Sequence, residues 1–164
     1  SMHQRVNNLV STIDDLVELC RIYRGDGKKI IMTNGCFDIL HTGHIHMLSE
    51  AKKLGDILVV ALNSDSSVKL NKGEKRPINY EMDRAFILSA VQYVDHIIIF
   101  DEETPEKIIC KILPDILVKG TDYENKFIAG KKCLEENDKK IILIDLIKGK
   151  STTDLIAKLG NNKD

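Results

Sequence analysis

Asn34-Gly35-Cys36-Phe37-Asp38-Ile39-Leu40-His41-Thr42-Gly43-His44 sets two histidines around a glycine where an apolar run gives way to helical spacing. Before it, Lys29 to Thr33 reads as a short buried strand; after it, Ile45 to Leu54 carries apolar residues at helical intervals. The stretch therefore spans the carboxyl end of a strand and the amino end of a helix. In open α/β sheets ligands bind there, and the free N–H groups of the helix attract anions. Gly35 and Gly43 lack a Cβ and let backbone amides approach a phosphate. His41 and His44, three apart on the first turn, project to one side, where imidazoles can donate to oxygens that gain charge. Two other readings of the pair are a helix cap without a ligand and a metal site completed by His46 or Cys36.

Outward from this stretch, strands and helices alternate. A helix with a Thr12/Asp15 capping box runs over 13–24, followed by a strand at 29–34, a helix at 43–54 and a strand at 56–63. Then come a helix at 80–92, a strand at 94–100, a helix at 105–113 capped by Thr104 with Pro105 at its first position, and a strand at 115–119. A short helix at 126–136, a strand at 139–145 and a helix at 152–159 complete the pattern. Runs such as Ile57-Leu58-Val59-Val60-Ala61-Leu62 are apolar throughout, as strands covered on both faces must be. The order predicts a Rossmann-like, doubly wound parallel sheet of five strands with helices on both faces.

The 164 residues, 43% of them hydrophobic, suit one domain with a core over 11–159, an N-terminal extension at 1–10 and a frayed tail at 160–164. Ser1-Met2 is set aside as a cloning remnant. Twenty-four basic against 25 acidic side chains leave a net charge of -1, which gives no global pull toward nucleic acid or an anionic membrane. Any phosphate binding must be local. No run approaches the roughly 20 apolar residues that span a bilayer, and the expected location is cytoplasmic. Cys20, Cys36, Cys110 and Cys133 are far apart without a CxxC and are expected reduced, Cys20 and Cys110 as packing residues.

Three further segments carry chemistry. Ser64 to Asn79 reads as a long loop of about 16 residues bearing Lys69, Lys72, Lys75 and Arg76, either a binding loop or a solvated charged one. Val118-Lys119-Gly120-Thr121-Asp122-Tyr123 closes the fourth expected strand with a lysine for phosphate, a glycine for close approach and an aspartate for a hydroxyl or base. Lys148-Gly149-Lys150-Ser151-Thr152-Thr153 precedes the last helix, with Ser151 as N-cap and two more hydroxyls in the first turn. Each alone has a structural reading as a turn or a cap. The last two and the histidine turn, three such sites at the carboxyl ends of parallel strands, are expected to converge on one crevice.

These residues resemble the HxGH nucleotidyltransferases of the cytidylyltransferase-like superfamily, marked by a GxFDxxHxGH segment, a lysine-bearing segment after the second strand and a late STT. The chain is most similar to the bacterial D-glycero-D-manno-heptose 1-phosphate adenylyltransferase branch. That narrower likeness rests on Asn63 to Val68, Lys72-Gly73, Arg76-Pro77-Ile78-Asn79, Asp83-Arg84-Ala85, Tyr93-Val94-Asp95, Phe100 to Pro105 and Pro114 to Gly120, and runs from about Ile13 to Leu159. The resemblance implies adenylyl transfer from ATP, with Mg2+, to heptose 1-phosphate, His41, His44 and Lys72 being catalytic. Gly35, Cys36, Phe37, Gly43, Lys119, Gly120, Asp122, Tyr123, Ser151, Thr152 and Thr153 would bind the nucleotide, and Asp38, Asn63, Asp65 and Arg76 the sugar phosphate. No metal ligand is assigned to a protein side chain, although Asp38 is placed to orient substrate or metal.

A homodimer through the segment at 92–95 and an upstream sugar kinase domain are also implied. The chain departs from the RTEGxSTT pattern of related cytidylyltransferases: the arginine is absent, leaving its role to Lys148 or Lys150. Thr121 and the Glu124-Asn125-Lys126-Phe127-Ile128 stretch lie closer to the cytidylyltransferases. A CTP-dependent enzyme acting on a polyol or amino-alcohol phosphate, and a silent nucleotide-binding module, are therefore the competing expectations.

Overall fold

The computed structural model describes residues 6–146 and 151–161. Among these residues six strands, β1 (Leu9–Val10), β2 (Ile30–Gly35), β3 (Ile57–Asn63), β4 (His96–Phe100), β5 (Ile116–Gly120) and β6 (Lys140–Ile144), form one sheet in the order β1-β4-β3-β2-β5-β6. Every neighbouring pair is parallel. The helices are α1 (Ile13–Gly25), α2 (Thr42–Lys53), α3 (Asp65–Lys72), α4 (Glu81–Ser89), α5 (Glu106–Ile112), α6 (Lys131–Glu136) and α7 (Thr152–Asn161), with a 3-10 turn at Thr121–Tyr123.

Alternation along the strands divides the core in two. In β3, Leu58, Val60 and Leu62 meet Leu48 and Ala51 of α2 and Ala85 and Leu88 of α4. Val59 and Ala61 point the other way, to Leu16 and Cys20 of α1, Ile108, Ile109 and Ile112 of α5 and Leu134 of α6. The expected doubly wound parallel sheet is thus present. β2 is the first strand of its central βαβ run, β3 and β5 flank it, and the winding reverses direction between β2 and β5. A crevice at such a switch point is where α/β sheets hold ligands.

Four local expectations need correction. The sheet has six strands rather than five, because Leu9 and Val10 pair with Ile97 and Ile98 at the edge; two residues are too few to show a period. Residues 65–72 of the expected long loop are helix α3, whose N-cap Ser64 accepts from the Ser67 N–H at 3.2 Å. Helix α5 begins after Pro105, and the Thr104 side chain does not cap it. Cys110 and Cys133, expected reduced, are joined as a disulfide with Cα atoms 5.7 Å apart, while Cys20 and Cys36 are free. By contrast Thr12 caps α1 as read, accepting from the Asp15 N–H at 3.1 Å.

At the carboxyl edge the chain ends of several elements are tied by one buried cation. Arg84, 1% exposed on α4, donates from Nη1 to the carbonyls of Cys36 (2.8 Å) and Asn63 (2.7 Å), and from Nε to that of Asn79 (2.8 Å). Its Nη2 pairs with Asp65 at 2.8 Å. A guanidinium is the side chain whose planar fork can reach so many acceptors at once.

Removing a buried charge that satisfies three carbonyls is expected to cost about 3–5 kcal/mol. Arg84→Ala should lower the urea unfolding free energy by that order, Arg84→Lys should recover little of it, and Asp65→Asn should cost far less because Asp65 is part exposed. Equal, small losses in all three variants would contradict this role.

Candidate active site

The crevice above β2 and β5 is a cleft of about 550 Å3. Sixteen of the eighteen residues expected in the site line it: Gly35, Cys36, Phe37, Asp38, Gly43, His44, Asn63, Lys72, Arg76, Lys119, Gly120, Asp122, Tyr123, Ser151, Thr152 and Thr153. Asp65 does not; its carboxylate is turned to Arg84 and its N–H donates to Glu81. His41 does not line the cleft either, and its ring stacks on that of His44 with centroids 3.9 Å apart.

The turn from β2 into α2 explains this arrangement. Phe37 adopts a left-handed φ of 46°, uncommon for a bulky residue, and so folds its buried ring back over the strand end. A Cβ on Gly35 would lie 2.9 Å from that ring, so the glycine is needed to seat the phenylalanine. The Phe37 ring then packs against His44 with centroids 5.2 Å apart.

The two histidines cap α2 reciprocally. Nδ1 of His41 accepts from the Gly43 N–H at 3.0 Å, and Nδ1 of His44 accepts from the His41 N–H at 3.2 Å. Because each Nδ1 is an acceptor, each neutral ring carries its proton on Nε2. Burial first, then the charges of His41 and Lys72, lower the His44 pKa from 6.5 to about 4. His44 is therefore a neutral imidazole at neutral pH, presenting an Nε2–H donor at the lip of a helix N-terminus.

Asp38 is fully engaged inside the protein. Its carboxylate accepts from Arg76 Nε at 3.1 Å, from the Ile78 N–H at 2.8 Å and from the Asn79 N–H at 2.9 Å, and its pKa falls despite the burial that opposes the fall. Its evident work is to hold the segment carrying Arg76, whose Nη2 is buried with no partner among the described residues. Lys72 stands in the last turn of α3, where the helix dipole favours a cation.

On the β5 side, Lys119 is buried, donates to Asn34 Oδ1 at 3.1 Å and lies 4.2 Å from the centroid of the Tyr123 ring. Burial lowers its pKa from 10.5 to about 8, against the opposing pull of the Asp122 carboxylate. A cation so desolvated gains from an anionic ligand. Gly120 is tightly placed: a Cβ would meet Asp122 Oδ1 at 2.5 Å and a Leu146 methyl at 2.8 Å.

Helix α7 closes the cleft as a second N-terminus. Ser151 caps it, accepting from the Asp154 N–H at 3.0 Å. Thr152 donates to the Ile39 carbonyl at 3.1 Å and so pins α7 to the histidine turn, which leaves Thr153 exposed beside the cleft. Lys148 and Lys150, expected to stand in for the missing arginine, lie outside the described residues.

Sequence reasoning gave no site role to Arg84, nor to Asn71, Glu103, Phe127 and Leu146, which also line the cleft. Arg84 had one visible signal, an arginine among apolar helix positions next to Ala85. Among the described residues no three His, Cys, Asp or Glu side chains gather to hold a metal. With Asp38 occupied, the carboxylates left facing the cleft among the described residues are Asp122 and Glu103. These fit an ion that arrives on phosphate oxygens and takes one or two protein carboxylates.

A parallel sheet with two helix N-termini, a neutral imidazole donor and a buried lysine around its switch-point cleft is the build of an α/β domain suited to an anionic ligand. The model of the cytidylyltransferase-like family matches residues 32–157, and the chain belongs to that family. It is 48% identical over 155 residues to the bifunctional protein HldE of Campylobacter concisus, covering 94% of this chain and 32% of that protein. It is 52% identical over 147 residues to HldE of Campylobacter fetus subsp. fetus, covering 90% and 31%. The chain thus spans about a third of the length of these relatives.

Among solved structures, the lipopolysaccharide core biosynthesis protein of Thermoplasma volcanium aligns with a TM-score of 0.60 at 35% identity, covering 74% of this chain and 98% of that one. The pantoate-beta-alanine ligase of Francisella tularensis, at 16% identity and a TM-score of 0.61 over 92% and 76% of the two chains, shares the fold.

The lowered His44 pKa has a signed consequence for stability. Between about 6.5 and 4 the unfolded chain binds a proton that the native imidazole refuses, so stability falls as pH drops through this window and levels off below it. The melting temperature of wild type should therefore fall more steeply between pH 6.5 and 4 than that of His44→Asn. Parallel curves would contradict the assignment.

Proposed function

We propose that this domain transfers AMP from ATP to a heptose 1-phosphate, releasing pyrophosphate and forming ADP-heptose for lipopolysaccharide or another surface heptose glycan. The observation that carries the reading is the capped histidine pair, fixed as an Nε2–H donor beside Lys72, in a chain about half identical to HldE proteins.

The chemistry needs no protein nucleophile. An oxygen of the sugar phosphate, already an anion, attacks the α-phosphorus of ATP, and the bond from that phosphorus to the oxygen bridging to the β-phosphate breaks. That bridging oxygen leaves with pyrophosphate and needs charge neutralisation more than a proton. His44 Nε2–H donates toward the α-phosphate and its departing oxygen, and His41 holds the ring behind it. Lys72 and Arg76 draw the two anions together on the α3 side.

Lys119 meets the nucleotide from β5, and the α7 N-terminus with Ser151 and Thr153 takes the β and γ phosphates. Mg2+ carried in on ATP, with Asp122 or Glu103 as protein oxygen ligand, would screen the repulsion between two polyanions. Positioning and preorganised donors supply the rest of the acceleration.

The reading also takes in a cytoplasmic enzyme, a homodimer, and a sugar kinase acting before it, consistent with the bifunctional relatives.

Pyrophosphate release with heptose 1-phosphate, each anomer tried separately, and ATP, CTP or GTP with Mg2+ tests the proposal. Release selective for ATP is expected, with turnover falling by roughly 100-fold or more in a folded His44→Ala variant, the scale of losing one transition-state donor. Release with CTP alone would move the chain to a cytidylyltransferase, and unchanged turnover in His44→Ala would overturn the role of that ring.

A further inference from the structure

The cleft is chemically divided. Its cations and hydroxyls, Lys72, Arg76, Ser151 and Thr153, gather around the histidine turn and the α7 N-terminus, with Lys119 at the end of β5. On the β5 side, next to Lys119 and Asp122, the lining also holds Tyr123, Phe127, Ile128 and Leu146, the last three of them apolar. Two of these are large hydrophobic side chains left in solvent, Phe127 at 74% exposure and Leu146 at 47%.

Neither exposure follows from a loose chain. Ile128, next to Phe127, is buried in the core beneath α5 and α6. Gly130, two residues on, has a φ of 85° and sits where a Cβ would be 2.5 Å from Ile109. Leu146 lies directly against the Gly120 backbone. Before Phe127, the Lys126 N–H donates to the Tyr123 carbonyl at 3.0 Å, so the segment is held on both sides while the phenyl ring itself stays uncovered.

A nucleoside triphosphate has the same division, an anionic chain at one end and a flat, weakly hydrated ring at the other. The two helix N-termini fix where the anionic end goes, which leaves the apolar wall to the ring.

Resting on the adenylyl-transfer reading, we propose that Phe127, with Leu146, is the platform on which the nucleobase stacks, making Phe127 a specificity-determining residue of the nucleotide site. The side chains of Phe127, Ile128, Ala129 and Leu146 have no hydrogen-bonding groups, so they reward the area of the ring rather than its edge pattern. Stacking of this kind tolerates any base and grows with its surface, so a purine is held better than a pyrimidine.

The test compares equilibrium binding of ATP, CTP and inorganic tripolyphosphate to wild type, Phe127→Ala and Phe127→Trp by calorimetry. In Phe127→Ala the Kd for ATP should rise roughly ten-fold (about 1.4 kcal/mol), the preference for ATP over CTP should shrink, and tripolyphosphate should bind unchanged. Phe127→Trp should restore ATP binding. A residue so exposed should leave the melting temperature unaltered, which separates a ligand contact from a structural one.

ATP bound equally by wild type and Phe127→Ala would overturn the proposal and leave Phe127 as a surface for another macromolecule, with adenylyl transfer untouched. Wild type binding tripolyphosphate but no nucleotide more tightly would overturn both.

Discussion

The Arg84 guanidinium is the tie on which this carboxyl edge depends. Parallel strands that end in a buried rim leave carbonyl oxygens without ladder partners, and water is largely excluded from beneath the connecting turns. Arg84 satisfies the carbonyls of Cys36 after β2, Asn63 at the end of β3 and Asn79 before α4, and it takes Asp65 at the start of α3 as its counter-ion. Three connections that approach one another only in the folded state are thereby fixed together. A second charged knot sits beside it, where Asp38 holds Arg76 and the backbone of Ile78 and Asn79. With both ends of the Cys36–Asp38 turn fixed, Phe37 can be held in a left-handed conformation and the histidines brought to their places.

The histidine pair caps the helix through its Nδ1 atoms, which leaves Nε2–H of His44 for the proposed reaction. A helix N-terminus leaves N–H groups to be satisfied, and the two Nδ1 atoms satisfy two backbone N–H groups of the turn. That bonding selects the Nε2–H tautomer and opposes protonation, in keeping with the low pKa of His44. For the proposed reaction a neutral donor has an advantage: it adds hydrogen-bonding power toward developing negative charge without a second buried positive charge near Lys119. Positive charge comes instead from Lys72 at the rim and Lys119 at the floor, and from the dipoles of α2 and α7. Ser151 and Thr152 repeat the economy at α7, one hydroxyl capping the helix and the other fastening it to Ile39.

The alternating order of strands and helices was legible because strands covered on both faces are continuous apolar runs, and because β2 flows into a helix through a recognisable glycine-histidine turn. β1 was not, since two residues carry no period and their pairing with Ile97 and Ile98 is purely tertiary. Helix α3 was hidden by its polarity: Asp65 to Lys72 buries mainly Ser67 and Val68, although Ser64 three residues before Ser67 is a capping signal. Which residues gather at the cleft was legible from motif spacing, but which of them are bound up in contacts within the protein was not. Asp38 and Asp65 look like ligand carboxylates in sequence, and only the fold reveals that arginines already claim them. The approach of Cys110 to Cys133, 23 residues apart on α5 and α6, likewise has no local signature.

The His44 ring is held neutral with its proton on Nε2, and in the proposed reaction that proton is aimed at the reacting phosphate. Long-range 1H–15N correlation spectra of histidine-labelled protein at neutral pH report the tautomer directly. His44 is expected to show a protonated Nε2 and an unprotonated Nδ1, unchanged until the pH nears about 4, with the Nε2 proton shifting when ATP binds. An Nδ1–H tautomer, or a ring doubly protonated near pH 6.5, would contradict it.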